Sequence, residues 1–141
     1  MIVSRIGYRG ATLTFLAVVW FAVGANLIAD GDPDPAHRTL LELLPMWVRV
    51  AVWWVAAAVA MVTAWWPPTR PKWGYTALVV PAAFRALSYG GAATFAGWHA
   101  VTGTESWTFV VATVADTAVW LGITFYILTC AGWPEPPHED R

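Results

Sequence analysis

The sequence predicts an all-α polytopic membrane protein, four transmembrane helices in an antiparallel bundle with both termini cytoplasmic. Three observations point there: four long apolar runs, charges confined largely to the gaps between them, and tryptophans gathered at the run ends. Apolar residues make up 58% of the 141, and charged residues only 12%. Soluble domains carry about 45–50% and roughly 25% respectively, so a water-facing surface could not be covered here. Lipid takes its place.

A crossing helix needs about 20 apolar residues for roughly 30 Å of hydrocarbon. The first predicted span covers about 11–29, broken only by Thr12, Thr14 and Asn26, with Arg5 and Arg9 before it. Such a run resembles a secretory signal, with Val23, Gly24 and Ala25 as a small-residue cleavage site. It continues past that site, which favours a retained anchor. The second span covers about 45–66; Pro45 suits a first helical position, and Pro67, Pro68 and Pro71 stop the helix.

The third span, about 74–101, is longer and more polar, containing Pro81, Arg85, Ser88, Tyr89, Gly90 and Gly91. Pro81 and the glycine pair are places where a helix loosens or kinks. Gly103 to Ser106 form a turn into the fourth span, about 107–131, which contains Asp116. Together these make one membrane domain, 1–133. The polar, proline-rich residues 134–141 read as a disordered cytoplasmic tail. The segment 36–44, with Leu40, Leu41, Leu43 and Leu44 among polar residues, is either a short interfacial helix or a lead-in to the second span.

Orientation follows the loops that hold Lys and Arg. With the N-terminus inside, Arg5, Arg9, Arg70, Lys72 and Arg141 are cytoplasmic, leaving Arg38 and Arg49 outside, Arg49 near the membrane edge. The expected location is the cell inner (cytoplasmic) membrane. Trp47, Trp65, Trp66, Trp73, Trp98, Trp107 and Trp133 fall at span ends, where indole rings prefer the headgroup level. Trp20, Trp53, Trp54 and Trp120 lie within spans, explained by packing between helices or by lipid contact.

Composition also excludes several functions. A net charge of −1 offers no nucleic-acid footprint. Cys130 is the sole cysteine, so no internal disulfide or CxxC pair can form. His37, His99 and His138 lack ligand spacing, so no metal or cofactor is expected. The loop from Asp30 to Asp34 superficially resembles a calcium loop but lacks its later glycine and glutamate. No catalytic or nucleotide motif is present, and the protein reads as non-enzymatic. Seven arginines against one lysine, with abundant Ala, Gly and Pro, fit a GC-rich genome of actinobacterial or phage type.

Charges inside lipid cost about 2.5–3.5 kcal/mol each at a span centre, so Arg85 and Asp116 stand out. At 1.5 Å per residue they lie roughly 16 Å and 14 Å from opposite faces, close to one level. An intramembrane Arg85–Asp116 ion pair is the expectation, provided the third helix ends near Trp98. If that helix runs on to Thr102, the offset doubles. Such a pair acts as a structural clamp or, with Ser88, Tyr89, Thr113 and Thr117 as lining, as a proton or ion path. Ala82, Ala86, Gly90 and Gly91, like Ala56, Ala60 and Ala64, allow close helix approach.

The expected function is therefore a small accessory, assembly or holin-like membrane protein that packs with itself or a membrane partner. The acidic tail runs against the holin version. The alternative is a small transporter or channel built on Arg85 and Asp116.

Overall fold

The computed structural model describes residues 3–30, 43–65 and 71–132, and all of its long elements are helices. They are α1 (Val3–Asp30), α2 (Met46–Trp65), α3 (Pro71–Val101) and α4 (Trp107–Gly132). No strand occurs among the described residues. Three stretches are long and apolar enough to cross a membrane: Gly7–Ala29, Met46–Trp65 and Trp107–Gly132. The α3 helix has the length, but Thr76, Arg85, Ser88, Thr94, His99 and its glycines lower its apolar content. The segment 36–44, the loop aspartates beyond Asp30, the proline turn 66–70 and the tail fall wholly or mainly outside the described residues.

Local chemistry sets the ends. Pro45 precedes α2, and its carbonyl accepts from Val48 N at 2.9 Å and Arg49 N at 3.2 Å. At the end of α3, Gly103 takes φ 78°, the left-handed conformation that a glycine adopts without a Cβ penalty. Thr104 N then closes onto His99 O at 2.9 Å. Ser106 begins α4, its Oγ accepting from Phe109 N at 3.4 Å, as an N-cap serine does. α3 runs as one continuous helix through Pro81 and the Gly90–Gly91 pair. An interruption occurs at Gly7 in α1 (φ 68°, ψ 172°), so the apolar part of α1 starts there.

Sequence-adjacent helices pack antiparallel. Trp20 of α1 meets Trp53 of α2, Thr63 of α2 faces Gly74 of α3, and Gly90 of α3 faces Thr117 of α4. The interior is built around Leu13, Leu16, Ala17, Trp20, Trp53, Ala57, Ala60, Leu78, Ala82 and Ile127. Ala56, Ala60 and Ala64 are all buried, which makes that row a packing face. Two glycines permit the closest approaches: a Cβ on Gly24 would lie 2.5 Å from the Trp54 ring, and one on Gly74 would collide with Thr63 Oγ1.

One end is tied by polar bonds. Arg9 Nη2 donates to Ala131 O at 3.1 Å, and Tyr75 Oη donates to Arg9 O at 3.2 Å. A guanidinium on the last carbonyls of α4 also complements the negative end of that helix dipole. Helices α1, α3 and α4 are thereby joined at one level.

The helices differ in how much they hide. Some 28% of the α1 span and 33% of α2 are buried, against 11% of α4. The outer side of α4 presents Val111, Val114, Val119, Leu121, Phe125 and Leu128.

Candidate functional site

The two charges singled out by sequence lie on neighbouring helices, and the structure does not join them. Arg85 sits mid-helix in α3, fourteen residues after Pro71 and sixteen before Val101. Its Cζ lies 5.2 Å from the Trp120 ring centroid, 5.4 Å from Tyr89 and 5.9 Å from Trp53. Arg85 Nη2 donates to Tyr89 Oη at 3.1 Å, while its buried Nε makes no hydrogen bond. Three π-faces thus surround the cation. Each such contact contributes about 0.5–2 kcal/mol, so three reach the same order as the cost of an arginine in hydrocarbon.

The cage belongs to a larger aromatic cluster. Trp53 lies 5.5 Å from Trp20 and 5.4 Å from Trp120, and Trp20 is 6.5 Å from Trp120. One residue from each of α1, α2 and α4 therefore meets Arg85 of α3 or a ring that touches it. Trp20, only 2% exposed, keeps an indole N–H without an acceptor. Packing between helices was one of the explanations the sequence offered for these internal tryptophans. Their convergence on Arg85 was not foreseen, because the spacing along four separate helices carries no sign of it.

Asp116 is exposed on α4, nine residues after Trp107. No hydrogen bond or ion pair of its carboxylate occurs among the described residues. The expected Arg85–Asp116 pair is accordingly not formed within this chain. Helix register supplies the reason. With Gly90 opposite Thr117, Arg85 lies five residues away on one side and Asp116 one on the other. That is an offset of about 9 Å along the axis, and Asp116 also turns toward the outside. α3 continues to Val101, past the end near Trp98 on which the expected pair depended.

The polar neighbours are largely engaged with their own helices. Thr113 Oγ1 donates to Phe109 O at 2.6 Å, and Thr117 Oγ1 donates to Thr113 O at 2.7 Å. Ser88 and Thr113 are buried, Tyr89 and Thr117 half-buried. Such back-bonding saturates hydroxyls locally. Of the small residues, Ala82 and Ala86 are buried, Gly90 is half-buried and Gly91 is exposed.

The burial of Arg49 was not legible in the sequence. Arg49 lies in the first turn of α2, at the end of that apolar helix, and is only 4% exposed, so its side chain packs among the helices. His99 at the other end of α3 is held by Thr104, with Nδ1 3.0 Å from the hydroxyl. Cys130 is buried.

The fold and the site define an all-helical protein with three helices able to cross a membrane and a caged arginine among its helices. No family model, no curated protein and no solved structure matches the chain.

Proposed function

We propose that this chain is a non-enzymatic, multi-pass protein of the cytoplasmic membrane that works by packing against another transmembrane helix. In this reading α3 is the fourth span, and both termini are cytoplasmic, following the distribution of Lys and Arg. Accessory subunits, assembly factors and small holin-like proteins all act in this manner.

One observation carries the reading. The least buried span, α4, exposes a carboxylate on an apolar helix, and none of the described residues answers it. Ionisable groups within membranes face the bundle interior, a wet cavity or a partner. With Asp116 on the outer side of α4, a partner is the arrangement that fits. The transporter alternative was built on an Arg85–Asp116 pair, and it loses its central element.

The test uses nitroxide labels on the full chain in membranes of its source cells. Labels at Ala112 and Val119, beside Asp116, are expected to be shielded from lipid-dissolved oxygen relative to Leu87 on the exposed side of α3. Equal oxygen access at all three positions overturns the reading.

A further inference from the structure

The chemistry of the occupant can be taken one step further, resting on the reading that a helix packs on α4. On the face that Asp116 occupies, Ala112 one turn before it is small and exposed, and Val119 one turn after it is 58% exposed. A small residue beside the carboxylate lets a second backbone approach closely in lipid. The approach would bring a second helix within reach of the carboxylate.

A second copy of this chain is a poor match for that position. Two Asp116 carboxylates brought face to face repel each other. Nor do the described cations of another copy reach this depth in a usable state. Arg85 is enclosed by Trp53, Tyr89 and Trp120, and Arg49 is almost wholly buried. Arg9 is bound to Ala131 O, fifteen residues along α4 from Asp116, and Lys72 lies near that same end, at the start of α3. Fifteen helical residues amount to about 22 Å.

We propose that Asp116, with the exposed Ala112 and Val119 one helical turn to either side, is a docking site for a transmembrane helix of a different protein bearing a lysine or arginine at matching depth. Charge complementarity decides the choice of occupant. A basic residue neutralises the carboxylate as it enters, whereas a purely apolar helix leaves a buried charge uncompensated.

The experiment places the full-length chain in phosphatidylcholine vesicles with a synthetic leucine–alanine transmembrane helix. That helix carries lysine, leucine or glutamate at its centre, and association is read by energy transfer between dyes. The lysine helix is expected to associate on the order of tenfold more tightly than the leucine helix, the scale of an interhelical polar contact in lipid. Asp116→Asn reduces it to the leucine level, and Asp116→Glu retains most of it. Equal association of the lysine and leucine helices overturns the proposal, as does a lysine preference that survives Asp116→Asn. Self-association through α4 that depends on Asp116 and needs no added helix also overturns it, assigning the face to a second copy. The oxygen-access measurement at Ala112 and Val119 is independent. Shielding there without a lysine preference removes only this inference and leaves the packing role standing.

Discussion

Two neighbouring regions of the protein handle charge in opposite ways. Between α2, α3 and α4, Arg85 is enclosed by three aromatic rings and bonded to Tyr89. On the outer side of α4, Asp116 stands among apolar side chains with none of the described residues answering it. The contrast follows from what each charge can use. A guanidinium is stabilised by the negative faces of Trp and Tyr, so a cation can be housed with aromatic carbon alone. A carboxylate gains nothing from those faces and requires donors. Trp53 and Trp120, backed by Trp20, stand where the cation is, and none of the described residues supplies a donor where the anion is. One region is finished, and the other is open.

If the cage is a finished structural unit, removing its central ring carries the largest cost. Trp53 is 1% exposed and touches Trp20, Trp120 and Arg85 at once. Trp53→Ala is expected to destabilise the fold by about 3–5 kcal/mol, the range for an emptied aromatic core site. Cys130, 1% exposed, gives a convenient readout, since a thiol-reactive dye labels it in detergent only on unfolding. Labelling of Trp53→Ala at the same temperature as the parent would show that the rings are incidental.

Next comes the α2–α3 contact that brings Arg85 up to Trp53. Gly74→Val would drive a branched side chain into Thr63 and to 3.1 Å or less from Leu13. Overpacking of this kind costs about 1–3 kcal/mol. The same substitution at Gly97, whose Cβ position is open, serves as the control and should fall well below that value. A smaller effect is expected from Arg9→Met, which removes the bond to Ala131 O and keeps the apolar stem. A charge-assisted bond of this type contributes about 1.5–3 kcal/mol when sheltered, and partial exposure at this end places Arg9 near or below the lower figure. An unchanged Cys130 labelling temperature would show that α4 is held without it.

The same contrast explains what could be read from the sequence. Helix limits were legible because long apolar runs set them: the expected 45–66 and 107–131 correspond to Met46–Trp65 and Trp107–Gly132, each long and apolar enough to cross a membrane. Turn chemistry was legible too, with Gly103 and Ser106 serving as stop and start. The rotation of each helix was not. In water an apolar stripe marks the inward face, but here Leu87 and Phe125 are exposed at 71% and 72% while Leu78 and Ile127 are fully buried. Both faces are equally apolar, so periodicity carries no sign of which way Asp116 turns. Register was equally hidden. The difference between α3 ending at Trp98 and at Val101 is one helical turn, enough to part Arg85 from Asp116. Arg85 was found because a charge in an apolar run is conspicuous; its cage was not, because helical spacing does not show which of the tryptophans within the spans face one another across helices.

The smallest predicted effect is the one that most sharpens the comparison. Asp116→Asn keeps the size of the side chain and removes its charge, at a site where the carboxylate makes no hydrogen bond or ion pair with any described residue. For the isolated chain in detergent, stability should change by less than about 0.5 kcal/mol, as at surface sites free of specific contacts. Arg85→Gln is the matched substitution in the finished region. It loses three ring contacts, so Cys130 labelling should begin at a distinctly lower temperature. If Asp116→Asn proves as damaging as Arg85→Gln, the carboxylate has an internal role and the outer face of α4 is closed after all. If only Arg85→Gln is damaging, Asp116 is kept for something other than folding this chain, and binding at α4 remains as its use.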